Sequence, residues 1–224
     1  MTVKRIILWL IALMPLIVTV VVLPQMADMV PAHYGIDGMV DRYDSKYTML
    51  LFPLIIMVVV GLREISPHLL GRDDAQHANL AVLDTLLLPV VIVLVTLHLL
   101  MLWLATSQVQ NIYTTPVPVP QLILAGISLL FVVIGNVLPK TKPNWYVGIR
   151  VPWTVNHPVV WYKTHRFGGP VMTVWGIIAL GVTLVVTPEH AAVVFIGGTA
   201  LMVASMLIYA YICYRQQHHE GHNE

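Results

Sequence analysis

From Ala78 to Ala105 the chain reads ANLAVLDTLLLPVVIVLVTLHLLMLWLA, a run in which Asp84 is the only formally charged residue. At about 1.5 Å of rise per residue, a helix of this length crosses the roughly 30 Å hydrocarbon core of a bilayer. Five more apolar runs flank it: Arg5 to Leu23, Lys46 to Leu62, Val119 to Leu138, Pro170 to Thr187 and Ala191 to Tyr214. Of 224 residues, 58% are hydrophobic and 10% charged, and no soluble fold hides that much apolar surface. The expected fold is all-α, a polytopic bundle of six transmembrane helices. The second run is short, and Pro53 within it, like Pro89 in the third, would interrupt a helix interior.

Loop charge sets the orientation. Ten of the twelve Lys and Arg residues fall at the N-terminus, in the loops after the second and fourth spans, and in the tail, while Arg42 and Lys46 alone lie in the intervening loops. Basic loops stay cytoplasmic, so both termini are expected inside, in a multi-pass protein of the cell membrane. The first run is too long for the apolar core of a signal peptide and lacks a small-residue cleavage site, so it reads as a retained helix. Trp103, Tyr209, Tyr211 and Tyr214 near span ends suit headgroup depth. Gly197 and Gly198, with Ala200, Ala204 and Ser205, offer the sixth span a small face for close helix packing. Cys213 has no partner cysteine and reads as a small core residue. A net charge of +1 gives no basic field of the kind that marks nucleic-acid binders.

Two connecting segments carry chemistry. The outer one, residues 24–46, concentrates four aspartates and one histidine with two glycines that permit tight turns. It reads as a compact cap whose carboxylates bind turn amides, with a cation site at His33, Asp37, Asp41 and Asp44 as the sharper alternative. The inner one, residues 139–169, has no acidic residue but five Lys or Arg, two His and three Trp. One reading is a docking platform, in which Arg150 and Arg166 grip phosphate or carboxylate and Trp145, Trp153 and Trp161 bury against lipid or a partner. The blander reading is a positive loop with an interfacial aromatic belt, drawn to anionic lipid.

The order of residues shifts that balance. Gly135-Asn136 with Lys140, Lys142, Pro143 and Asn144, then Gly148-Ile149-Arg150 with Pro152-Trp153-Thr154, then Trp161 with Thr164-His165-Arg166 and Gly168-Gly169, resemble the SdpI-type bacteriocin-immunity and signalling family. Leu23-Pro24, Pro31, His33, Gly35, Gly38 and Ser45-Lys46 resemble the small domain of unassigned function that often precedes it. The resemblance implies two regions. Residues 1–78 hold two spans and the outer segment, and residues 79–224 hold four spans and the basic loop. It also implies a bacterial membrane protein that protects its host against a secreted toxic peptide and, in the best-known member, signals by holding a transcriptional repressor at the membrane. The expected inner binding residues are Asn136, Lys140, Lys142, Asn144, Gly148, Arg150, Pro152, Trp153, Trp161, His165 and Arg166. The outer ones are Pro31, His33, Gly35, Asp37, Gly38, Asp41 and Lys46.

Asp84 and His98, fourteen residues apart, lie roughly on one helix face and ~21 Å from each other along it. As intramembrane ionisable groups they suggest a second reading, a small transporter or proton-coupled channel. The blander reading has Asp84 meeting a basic loop residue and His98 hydrogen-bonded near the outer surface. No zinc-protease, nucleophile-elbow or phosphate-loop motif occurs, so an intramembrane hydrolase ranks lower and neither cofactor nor metal is expected.

Overall fold

A computed structural model describes residues 3–69, 74–144 and 146–220, except for the side chains of 69, 74–78, 219 and 220. Among the described residues six helices are long and apolar enough to cross a membrane: α1 (Val3–Val22), α2 (Leu51–Leu69), α3 (Asp74–Thr106), α4 (Val119–Val137), α6 (Pro158–Val185) and α7 (Pro188–Glu220). The protein is a polytopic helical membrane bundle. Large apolar side chains such as Leu201 and Val185, 74% and 83% exposed, line its flanks, as lipid-facing positions do.

The helices pack as two triplets. In the first, α1, α2 and α3 enclose Leu8, Ala12, Ile56, Val60, Val91 and Val95; in the second, α6 lies between α4 and α7. The triplets meet where α3 touches α4, around Val82, Leu86 and Val137.

Bilayer lipid is as apolar as leucine, so close packing rather than water exclusion holds such helices together. The closest approach is between α4 and α6. A Cβ on Gly169 would stand 2.5 Å from Pro139 Cγ and 2.6 Å from the Gly135 carbonyl oxygen, and one on Gly176 would stand 2.7 Å from the Ser128 carbonyl oxygen. Of the small face expected on the last span, Gly198 makes room for the Trp175 ring of α6, while Gly197, Ala200 and Ala204 are exposed.

Three spans differ from the sequence reading by well over a turn, among them α7, which continues past Tyr214 to Glu220 and so takes Arg215 onto the helix. The second span continues past Leu62 to Leu69, which puts Arg63 on α2 rather than in a loop; Arg72 lies outside the described residues. Pro53 falls in the first turn of α2, where its missing N–H has no intrahelical partner to lose. The fifth span begins at Pro158, twelve residues before Pro170, with the fixed φ of Pro158 suited to a first helical position. The second half of the basic loop is therefore helical.

Between α1 and α2, residues 24–46 fold into an antiparallel hairpin of β1 (Met29–Tyr34) and β2 (Val40–Ser45). Gly38, at φ +77°, makes its turn, and any Cβ there would run into the Tyr113 ring. The connection after α3 laces the hairpin down. Val40 N–H donates to Gln110 O at 3.0 Å, Ile112 N–H to Gly38 O at 2.9 Å and Tyr113 Oη to Ile36 O at 2.8 Å. Met26, Val30 and Met49 seat this cap on Leu102 and Ala105 near the C-terminus of α3. The basic segment attaches near the other end of α3, at Asn79. The two motif regions therefore sit at opposite ends of the bundle.

Candidate functional site

The basic segment leaves α4 through a single 3-10 turn, Leu138 to Lys140. Thr141 closes the turn, its Oγ1 donating to Leu138 O at 2.8 Å. Next, the buried amide of Asn79 on α3 pairs with the Lys142 backbone as a strand would: Lys142 N–H donates to Asn79 Oδ1 at 2.9 Å, and Asn79 Nδ2 donates to Lys142 O at 3.0 Å. This clamp ties the segment to the first triplet.

Asn144 then organises the bend. Its Oδ1 accepts the N–H groups of Tyr146 and Val147 at 2.8 and 2.7 Å, and its Nδ2 donates to the carbonyls of Lys142 and Val147 at 2.7 and 2.9 Å. Two donors and two acceptor positions are an amide's full capacity. All are used, at a side chain 4% exposed.

A stacked pair on α6 supports the next turn. Trp161 and His165, one helical turn apart, lie fully buried with ring centroids 4.0 Å apart. Trp161 Nε1 donates to Thr141 O at 3.1 Å. His165 Nδ1 donates to Trp161 O and its Nε2 accepts from Ile149 N–H, both at 2.8 Å. That tautomer is assigned from these partners, because a backbone carbonyl must receive a proton and a backbone N–H must give one. Gly148 passes so close, at φ +125°, that a Cβ would overlap His165 Nε2 and the Trp161 ring. Thr154 in the short α5 (Pro152–Val155) donates to Ile149 O at 2.7 Å and accepts from Val151 N–H at 3.0 Å. Asn144, Gly148, Trp161 and His165 are thus internal struts.

The cations point elsewhere. Lys140, Lys142, Arg150, Lys163 and Arg166 are all exposed, as are Asn136 and Pro152. Trp161 fills the interior rather than meeting lipid or a partner, which corrects the platform reading at that position. Trp153 is half-buried, edge-on to Tyr211 of α7 with ring centroids 5.8 Å apart; Trp145 lies outside the described residues. Tyr209 stacks on Phe167 and Tyr214 meets His157 edge-on, so the aromatic residues of the last span brace the basic segment as well as marking a boundary. Cys213 is buried in α7.

At the other end, the four aspartates do not converge. Asp41 Oδ1 lies 2.6 Å from His33 Nδ1, Asp44 pairs with Arg42 at 3.3 Å and Asp28 with Lys46 at 3.1 Å, while Asp37 accepts Met39 N–H at 3.1 Å. Among the described residues no three His, Cys, Asp or Glu side chains gather as metal ligands. Each carboxylate has a local partner, which favours the compact cap over the cation site. Pro31 is buried in β1, and Gly35 and Gly38 shape the turn. Tyr34 Oη donates to Val109 O at 3.0 Å, and burial, with Tyr43 close by, pushes this phenol up to about 12.

Asp84 and His98 are held separately. Asp84 pairs with Arg63 of α2 at 2.7 Å, while His98 Nε2 lies 2.8 Å from Thr19 Oγ1 of α1 and its ring stacks on Phe52. The Asp84 partner is a helix residue, not a loop residue.

These features define a multi-pass helical membrane protein whose distinctive chemistry lies in two capping segments. Residues 140–213 match the SdpI/YfhL protein family, and residues 10–57 match a domain of unknown function (DUF1648). The SdpI/YfhL match covers the basic segment, α6 and most of α7, and the DUF1648 match covers part of α1, the hairpin and the start of α2. Immunity protein SdpI of Bacillus subtilis (strain 168) is 28% identical over 88 residues, 38% of this chain and 42% of that protein. The chain thus spans about two fifths of the length of that curated relative. No solved structure matches.

Sequence reasoning missed Asn79. A lone amide at the start of an apolar span was the available signal, since such a group needs partners once buried.

Proposed function

We propose that this protein is an immunity protein of the bacterial plasma membrane, one that protects its host against a secreted toxic peptide. The match of residues 140–213 to the SdpI/YfhL family carries the reading, because it falls on the segment whose five cations stand exposed over a buried polar frame. Positive loops stay inside, so the basic end and both termini lie in the cytoplasm and the hairpin outside. The role is binding rather than catalysis. Exposed guanidinium and ammonium groups on a fixed frame suit an acidic protein surface. The resemblance to the SdpI family, rather than this chemistry, suggests a cytoplasmic transcriptional repressor held at the membrane as the partner, which would add signalling to protection.

Transport is the weaker reading, because Asp84 and His98 are engaged by different helices. The test is complementation. A Bacillus subtilis strain 168 derivative lacking Immunity protein SdpI would express this chain and be grown mixed with its parent. Restored survival is expected; continued killing, with the chain present in the membrane, would contradict immunity.

A further inference from the structure

With 33 residues, α7 is about 50 Å long, more than a bilayer crossing needs. Towards its C-terminus it packs on α5 and on His157, the N-cap residue of α6. Tyr214 and His218, one turn apart on α7, meet His157 there. Tyr214 stands edge-on to both imidazoles, with ring centroids 5.0 Å from His157 and 4.5 Å from His218. The two imidazoles are 5.7 Å apart and inclined at 65°.

This packing uses the rings and leaves their nitrogens over. His33, His98, His165 and His190 each engage a hydrogen-bond partner. His157, half-buried, and His218, exposed, engage in neither hydrogen bond nor ion pair among the described residues. Free imidazole nitrogens brought together from two elements are ligands for a borderline-soft metal ion. Two rings sharing such an ion, at about 2.0 to 2.1 Å per nitrogen, have centroids about 5 Å apart at a tetrahedral angle. A small turn of the exposed His218 closes the difference. A zinc-type ion takes three or four protein ligands, and the sequence offers the rest: His219, Glu220 and His222 follow within four residues of His218.

We propose that His157 and His218, joined by His219 or His222, bind one divalent transition-metal ion of the zinc class. The site stands independently of the immunity reading. An ion held there would tie the end of α7 to the connection between α5 and α6, and so steady the part of the basic segment that carries Trp153.

The full chain, purified without a histidine tag and stripped of metal, is titrated with Zn²⁺ and separately with Mg²⁺, and bound ion is counted by equilibrium dialysis. One Zn²⁺ per chain is expected and no Mg²⁺, which prefers oxygen ligands. His157→Ala and His218→Ala should each weaken Zn²⁺ binding at least about tenfold, since losing a ligand costs no less than losing a group that orients one. Zn²⁺ should also slow amide exchange at residues 155–157 of the unaltered chain. Absence of Zn²⁺ binding would overturn the proposal. So would equally tight binding by His157→Ala, which would mean that the histidines at the chain end hold the ion alone. If His157→Ala fails to fold, amide exchange decides: protection at 155–157 supports the site, and its absence overturns it.

Discussion

Asn144→Asp is expected to destabilise the basic end by about 4 kcal/mol, the largest effect of any single-atom exchange in the segment. The substitution swaps an NH2 for an oxygen. Two donations, to Lys142 O and Val147 O, disappear, and a carboxylate oxygen is left facing both carbonyls at the 2.7 and 2.9 Å that the amide now spans. At 4% exposure little water reaches it. The carboxylate would have to take up a proton or expel the bend. Thermal or SDS-induced unfolding of the purified chain in detergent should show the loss, with Tyr146 and Val147 amides exchanging faster. A midpoint unchanged from the unaltered chain would mean that Asn144 is no strut.

Gly169→Leu should cost about 3 kcal/mol or more by forcing α4 away from α6. What stands in the way is partly backbone: the Gly135 carbonyl and the Pro139 ring, 2.5 to 2.6 Å from the new Cβ. Neither can rotate aside as a flexible side chain would. The displaced helix also carries Trp161 and His165, so the basic segment should loosen along with the bundle. The readout is a lowered unfolding midpoint together with faster amide exchange over residues 141–149. A folded, unaltered segment in this variant would contradict the close approach.

The six spans could be read from composition because lipid imposes a simple demand: about twenty apolar residues and a satisfied backbone. The start of α6 could not be read that way. Tyr162, Lys163 and Arg166 are polar and exposed, and they make the stretch look like a loop. Its buried residues, Trp161, Thr164, His165 and Gly168, nevertheless recur at i, i+3, i+4 and i+7, the spacing of one helix face. Periodicity would have found what hydropathy missed. The hairpin left a similar trace in Gly35-Ile36-Asp37-Gly38 between Tyr34 and Val40, a turn flanked by strand formers.

The candidate site was legible as a place but not as a mechanism. Its residue types are the same whether they face inwards or outwards, and only their partners sort them. Asn144 and His165, read as binding residues, use their hydrogen-bonding groups on the backbone, whereas Lys140, Lys142, Arg150 and Arg166 remain exposed. Asn79 went unnoticed because its partner, the Lys142 backbone, is 63 residues away. The lone amide in an apolar span signals a need for partners, but nothing local says which main-chain groups supply them.

Under the proposed function, the buried frame presents the exposed cations and those cations carry the protection. Replacing Arg150 and Arg166 together by glutamine separates the two, since both side chains stand clear of the frame. The decisive measurement is survival of the complemented, immunity-deficient strain in mixed culture, read beside the unfolding midpoint and membrane abundance of the variant. Loss of protection with midpoint and abundance unchanged is the predicted result; full protection would contradict the claim.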